Sequence, residues 1–283
     1  MKIAIVTDSV ADVPESLRKE LGITVVPLSI IFGDETFIDG VDLDIYSFYT
    51  KLKASKVMPS TSQPSPADFM KVYTGLLDEN DYVFSIHASS ALSGTYQSAV
   101  LAKETLAADN VEVIDSRQAT MCEGFVAVEA ARAAARGAGT DAVRRRIEQT
   151  MASVRLLFVV DTLEYLAKNG RIGRAASLVG ALLSVKPILS IEDGVVAPFE
   201  KVIGARKAFH RVIQSMKEQV GSERVSAAVL HCNAPYKAEE WKREVEANFD
   251  CAELIVADVG AVVGAHVGPG AAGIVWHTLP QLV

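Results

Sequence analysis

The chain is short of cysteine. Three stand among 283 residues, Cys122, Cys232 and Cys251, and none sits in a C-x-x-C spacing or beside a histidine ligand pattern. A disulfide framework or a zinc site is therefore not expected, no metal ligand set is assigned, and the three read as small apolar packing residues. Long apolar runs are lacking too. The most apolar longer stretch, AASLVGALLSV at residues 175–185, falls well short of the roughly 20 residues a spanning helix needs. No transmembrane segment is expected. No apolar segment with a small-residue cleavage site precedes the strand-like start MKIAIVTDSV, so a soluble cytoplasmic protein is expected. Basic runs are missing, and the formal net charge is −7 with a pI of about 5.3. Such a chain is a poor candidate for nucleic acid or an anionic membrane. There is no G-x-S-x-G elbow, no phosphate-binding G-x-x-x-x-G-K-[ST] loop and no H-E-x-x-H. Ser, His and Asp are all present, but no local pattern arranges them as a hydrolase triad.

What is present is an ordinary globular balance, 49% hydrophobic and 22% charged, in a length that suits two domains. Short apolar runs read as buried parallel strands: KIAIV (2–6), TVVPLSI (24–30), YVFSI (82–86), VEVID (111–115), LLFVV (156–160), SAAVL (226–230) and ELIVA (253–257). Amphipathic helical patterns such as SPADFMKVYTGLLDE and YKAEEWKREVEANF lie between most of them, which argues for α/β architecture. Residues 186–213 break the rhythm. They predict a hairpin turned at Glu192-Asp193-Gly194 and then a helix. The expectation is two α/β domains, residues 1–158 with a mostly parallel sheet and residues 159–283 with a mixed one. No internal repeat is present.

Ligands of open α/β sheets bind beyond the carboxyl ends of the strands. The segments there are rich in hydroxyls and glycines: Thr7-Asp8-Ser9, HASSALSGTYQSA (87–99), Asp115-Ser116 and GAVVGAHVGPGAAGI (260–274). Ser93 and Thr95 flank Gly94 at a predicted helix start, where free N–H groups favour an anion or where the hydroxyls merely cap the helix. The loop MPSTSQPSPADF (58–69) poses the same alternative. Ser65 fits an N-cap with Pro66 at the first helical position, which leaves Ser60, Thr61 and Ser62 without a structural task. His266 stands among glycines in a tight loop, where it is either structural or a donor to an oxyanion. His87 and His231 follow strands, and His210 and His277 lie in helical patterns. Lys168, Arg171 and Arg174 surround Asn169-Gly170, either as a basic helix end or as a contact for an acidic partner.

Taken in order and spacing, TDS at 7–9, PSTSQPSPADF at 59–69, SSALSGTYQSA at 89–99, DS at 115–116, LEYLAKNGRI at 163–172, KPIL at 186–189 and GAHVGPGA at 264–271 resemble the DegV family. The resemblance spans essentially the whole chain. It implies a fatty-acid-binding protein, with a long-chain fatty acid held between two α/β domains and presented to a fatty acid kinase. That kinase makes an acyl phosphate that feeds phospholipid synthesis. No cofactor and no catalytic residue of the chain's own are implied. The motifs place the carboxylate at Thr61 and Ser93, with the backbone at Ser62, Gly94 and Thr95 close by and His266 near. Arg171 is a candidate docking residue for the kinase. Asn169 stands where the family pattern has glycine, and Asn tolerates the left-handed turn.

The chemistry suits this reading. A bare buried carboxylate is very costly, and hydroxyls and N–H groups are neutral donors that satisfy it. A sixteen-carbon tail offers on the order of 10 kcal/mol before ordering costs, at about 0.8 kcal/mol per methylene. The run at 177–185 is a candidate wall for that tail. The competing reading is an enzyme, a Ser/His hydrolase or a phosphotransferase using the same anion loops.

Overall fold

A computed structural model describes residues 1–179 and 185–278. The chain begins with β1 (Ile3–Asp8), α1 (Glu15–Leu21), β2 (Thr24–Val26), β3 (Ser29–Phe32), β4 (Glu35–Ile38) and α2 (Ile45–Ala54). There follow β5 (Ser60–Ser62), α3 (Pro66–Leu77), β6 (Tyr82–His87), α4 (Thr95–Leu106), β7 (Val111–Asp115), α5 (Met121–Ala135) and α6 (Thr140–Ser153). The rest comprises β8 (Arg155–Val159), α7 (Glu164–Lys168), β9 (Val185–Glu192), β10 (Val195–Ile203) and α8 (Ala205–Val220). Last come β11 (Val225–His231), α9 (Pro235–Asn248), β12 (Cys251–Asp258), α10 (Ala261–Val267) and β13 (Ala272–His277).

The described residues form three sheets. The first is parallel, in the order β2-β1-β6-β7. The second is mixed, in the order β10-β9-β8-β13-β11-β12. A small antiparallel sheet, β4-β3-β5, sits with the first. The expected pair of α/β units, one parallel and one mixed, is therefore present. The boundary expected at 158/159 runs within β8, which pairs in the six-stranded sheet with β13 and β9.

The packing is layered. Helices α3 and α4 cover the outer face of the parallel sheet, where Phe69, Tyr73 and Ala99 join Val6 and Val83 in one core. Helices α8 and α9 cover the outer face of the mixed sheet. On α8, Phe209, Val212, Ile213, Met216 and Val220 recur at helical spacing and are buried, while the opposite face is charged. Between the sheets lies the largest core, which draws on both units, Ile5, Phe84 and Phe125 from one and Phe158, Leu230 and Val275 from the other. Helix α5 runs through this layer and is buried nearly all round, from Met121 to Ala133.

Local signals explain the best-read elements. Ser65 caps α3, its side chain accepting from the Asp68 N–H while Asp68 accepts from the Ser65 N–H, with Pro66 at the first position. The Asp193-Gly194 turn has φ of 52° and 82°, the pair of positive values a tight type I′ hairpin turn requires, and Gly reaches it without strain.

Several expectations are corrected. TVVPLSI is not one strand, because Pro27 lacks an N–H and separates β2 from β3, which join different sheets. LLFVV forms β8, but β8 is antiparallel to both neighbours. The hydroxyl loop contains a short strand, β5, so Ser60, Thr61 and Ser62 have a backbone task after all, pairing with β3. ELIVA is not the last strand. AGIVWH forms β13, and His277 lies in it rather than in a helix. Among the described residues, no helix is long and apolar enough to cross a membrane. Of the expected wall at 177–185, residues 180–184 lie outside the described residues, and Leu178 is buried in the central core.

Candidate functional site

Between the two large sheets lies a partly open, mostly apolar cavity, the kind of lining that small-molecule sites have. Its walls come from segments that follow strands: Val10 after β1, Ala88 and Leu92 after β6, Ala119 and Thr120 after β7, and Val259 after β12. The floor is one face of the mixed sheet, with Leu156 and Phe158 of β8 and Leu230 of β11. Polar groups in this lining are few: Thr61, Ser93, Thr120, Arg171, Cys232 and His266.

Four of the residues singled out from sequence meet here. Thr61 projects from β5 and its Oγ1 lies 2.8 Å from His266 Nε2. His266 sits in the last turn of α10, not in a loop as expected, and α10 packs against β3 and β5. Burial first, and the nearby Arg171 charge second, push the His266 imidazole down to about 4, so it is neutral at neutral pH. Its Nδ1 is buried and has no hydrogen-bond partner among the described residues. Arg171 donates from Nε to the Leu92 carbonyl at 3.0 Å and from a terminal nitrogen to the Asn169 carbonyl at 2.8 Å. That places its guanidinium beside the residue preceding Ser93. Ser93 Oγ lies 2.8 Å from Thr95 Oγ1 at the start of α4, whose N-cap, Gly94, offers no side chain.

The remaining three predicted residues do not line the cavity. Ser62 is exposed and donates weakly to the Gln63 carbonyl at 3.4 Å. Thr95 is buried behind Ser93. Gly94 is covered by Gln63, whose amide nitrogen stands 2.8 Å from where a Cβ would be, so the two hydroxyl loops pack directly on each other. Lys168 and Arg174 are also absent from the lining. Lys168 pairs with Glu164, and Arg174 bonds Asp193 and Glu192 at the hairpin tip. Asn169 is not in the left-handed region (φ −89°), which falls to Gly170 (φ 69°). Its side chain instead donates to the Ala265 carbonyl and ties this turn to α10.

Two groupings escaped the sequence reading. The first is a buried chain in which Tyr73 donates to Ser85 Oγ (2.8 Å), Ser85 Oγ meets His87 Nε2 (2.7 Å) and His87 Nδ1 meets Asp8 Oδ2 (3.0 Å). Ser85, His87 and Asp8 have the connectivity of a hydrolase triad. All three are fully buried, however, and neither Ser85 nor His87 lines the cavity. Asp8 also accepts from the Val10 and Ala88 N–H groups, so the chain ties together the loops that wall the cavity. The alternation Ser-x-His on β6 was the only available signal. The second grouping centres on Asp12, which accepts from Thr120 Oγ1 at 2.6 Å and from the Gly260 N–H at 2.8 Å. It thus joins one cavity wall to the start of α10. Burial pushes the Asp12 carboxyl up to about 7. Thr120 holds an unusual backbone, φ 51° and ψ −151°, of the kind that surrounding structure must enforce.

The comparisons with known proteins agree with this architecture. A family model described as "Uncharacterised protein, DegV family" matches residues 2–279. The chain belongs to the DegV family. A DegV domain-containing protein of Caldanaerobacter subterraneus subsp. tengcongensis is 40% identical over 278 residues, covering 96% of this chain and 98% of the relative. Among solved structures, a DegV family protein from Thermus thermophilus, described for its fatty acid binding, superposes with a TM-score of 0.94. It is 33% identical, with 99% of this chain and 100% of that one covered. DegV of Bacillus subtilis, described as a fatty acid binding protein, gives 0.91 at 36% identity, with 99% and 100% covered.

Proposed function

We propose that this protein binds one long-chain fatty acid in the central cavity, with the carboxylate at the Thr61–Ser93–His266 end and the tail along the apolar remainder. The single observation that carries the reading is the Thr61–His266 bond at the edge of a mostly apolar cavity. His266 is neutral there, and its orphaned Nδ1 is least costly as the unprotonated nitrogen, because a buried N–H without an acceptor is the rarer defect. Nε2–H then donates to Thr61 Oγ1, and the threonine O–H is free to donate to a carboxylate. Ser93 Oγ supplies a second donor. The fatty-acid-binding descriptions of the Thermus thermophilus and Bacillus subtilis relatives support the same ligand class.

A carboxylate held by the Thr61 and Ser93 hydroxyls, with the nearby Arg171 guanidinium engaged by the Leu92 and Asn169 carbonyls, is not locked in a tight ion pair. That suits a carrier whose cargo must later attack phosphorus. In this reading the protein is a cytoplasmic, non-catalytic carrier. It presents the carboxylate to a fatty acid kinase, which forms an acyl phosphate for phospholipid synthesis, and Arg171 is the docking candidate. The competing reading as a Ser/His hydrolase or a phosphotransferase draws on the Ser85–His87–Asp8 connectivity, but a nucleophile must reach its substrate, and Ser85 is sealed.

Solvent extraction of the purified protein, followed by mass spectrometry of the extract, tests the binding step. A near-stoichiometric long-chain fatty acid supports it. An empty protein that takes up no fatty acid on titration overturns it, and turnover of an acyl ester by the protein alone would favour the hydrolase. In a reconstituted kinase assay, unchanged acyl phosphate formation by His266→Ala would remove His266 from the presenting site.

A further inference from the structure

Helix α10 carries His266 and ends on a carbonyl that its own backbone cannot serve. The Gly268 N–H closes on the Gly264 carbonyl at 2.9 Å. The Ala265 carbonyl would need the N–H four residues on, and that residue is Pro269, which has none. Ala265 is fully buried, so water does not reach it, and an unpaired buried carbonyl costs about 1–3 kcal/mol. The donor comes from another segment: Asn169 Nδ2 reaches the Ala265 carbonyl at 2.9 Å.

The same residue faces the other way through its backbone. The Asn169 carbonyl accepts from Arg171 at 2.8 Å, and Arg171 Nε donates to the Leu92 carbonyl at 3.0 Å, one residue before Ser93. A run of hydrogen bonds thus leads from the loop that carries Ser93, through Arg171 and Asn169, to the helix that carries His266, and His266 meets Thr61. Ser93, Arg171, His266 and Thr61 line the cavity, whereas Asn169 does not. Packing also brings α7 and α10 together here, for the Tyr165 ring occupies the place that a Cβ would take at Gly268. A ring resting on a glycine sets the separation of two elements. A directed hydrogen bond sets their register.

We propose that Asn169 is a positioning residue for the carboxylate: its side-chain bond fixes α10 against the Arg171 turn, and so fixes His266 and the Thr61 hydroxyl that His266 orients. The inference rests on the fatty-acid reading and deepens it. A hydrogen bond to a carboxylate weakens beyond about 3.2 Å, so a drift of about half an ångström in the end of α10 is enough to loosen the head group. The contacts of the tail with the apolar remainder of the cavity lose nothing by it.

The test uses palmitate and oleate, each beside its methyl ester, which keeps the tail and removes the charge. Affinities are measured for wild type, Asn169→Ala and Asn169→Leu. Both variants remove the donor without adding charge, and the φ of −89° at this position accommodates either residue. Each is first checked for native circular dichroism. Both are expected to bind the acids about tenfold more weakly, the effect of one well-placed hydrogen bond to a charged group, and the esters within about twofold of wild type. The His266 imidazole resonances are expected to shift in the ligand-free variants. Equal losses for acid and ester, no loss at all, or unmoved resonances overturn the inference and leave the binding reading standing. A wild type that binds the acids no better than the esters overturns the head-group placement, and one that binds none of the four overturns the binding reading. The inference falls with either. Should Asn169→Leu fail to fold, Asn169→Ala decides by the same acid-to-ester ratio. Failure of both to fold would show a purely structural tie and overturn the inference.

Discussion

Thr61 and His266, 205 residues apart in the chain, meet with 2.8 Å between Oγ1 and Nε2. One sits on the middle residue of a three-residue strand and the other in the last turn of a seven-residue helix. Neither element is long enough to persist alone. Each is held because β5 pairs with β3 and α10 packs against both. The contact is thus a product of the assembled core, and it orients a hydroxyl toward the cavity.

The first prediction concerns that hydroxyl. Thr61→Val keeps the shape of the side chain and removes the donor. A hydrogen bond to a charged group contributes about 1.5–3 kcal/mol, so fatty acid affinity should fall by about tenfold or more. Ser93→Ala should act similarly. Both residues are only partly buried, so thermal unfolding should stay within a few degrees of wild type. Fatty acid titration by fluorescence displacement checks the affinity. Undiminished binding in the double variant would show that the head group lies elsewhere.

How much of this was legible beforehand depends on range. The capping box of α3 and the Asp193-Gly194 hairpin were readable because their causes lie within four residues. β13 was missed because AGIVWH opens with Ala and Gly, which signal a loop, and only pairing between β8 and β11 makes it a central strand. The direction of β8 was not readable at all, since LLFVV has the same apolar run whether its neighbours are parallel or antiparallel. Pro27 did carry a signal, a missing N–H in mid-strand, and it marks the break between β2 and β3. Thr61, Ser93 and His266 were reachable through the family motifs, whereas Asp12 was not, because its partners Thr120 and Gly260 lie far along the chain.

A second prediction concerns Arg171. Its planar fork reaches two carbonyls at once, those of Leu92 and Asn169, which a lysine ammonium cannot reproduce. Its charge also helps hold the His266 imidazole down, after burial. Arg171→Gln should therefore raise the His266 pKa above about 4, though not to its ordinary value, because burial remains. An NMR titration of the imidazole resonances reads this directly. An unmoved value would show that burial acts alone.

A third prediction follows from the same imidazole. In the folded protein His266 titrates near 4, against an ordinary 6.5, so the unfolded chain binds more protons between those values. Stability from this group is complete above about 6.5 and is lost as pH falls toward about 4, by on the order of 3 kcal/mol. His266→Gln should flatten that loss. Urea unfolding midpoints at matched pH values compare the two, and parallel curves would count against a buried neutral imidazole.

Asp12 has the opposite sign at the other end of the same helix. Burial holds its carboxyl near 7, far above the ordinary 3.8, although the bonds from Thr120 and Gly260 pull it down. The folded state thus keeps a proton that the unfolded chain has released. Stability from this group is complete below about 3.8 and is lost as pH rises through about 7. Asp12→Asn imitates the protonated form: its Oδ1 can still accept from the Gly260 N–H, and its amide can donate to Thr120 Oγ1 once that hydroxyl turns. The variant should match wild type below about pH 3.8, gain on it progressively as pH rises toward about 7, and keep that lead at slightly alkaline pH, where wild type must bury a charge with Asp39 and Asp8 nearby. Because Asp12 joins a cavity wall to α10, the gain should appear in global unfolding rather than in local fraying. Urea melts of both proteins across that range read the difference. An Asn variant weaker than wild type at alkaline pH would show that the ionised carboxylate, and not its protonated form, is the clasp between the two units.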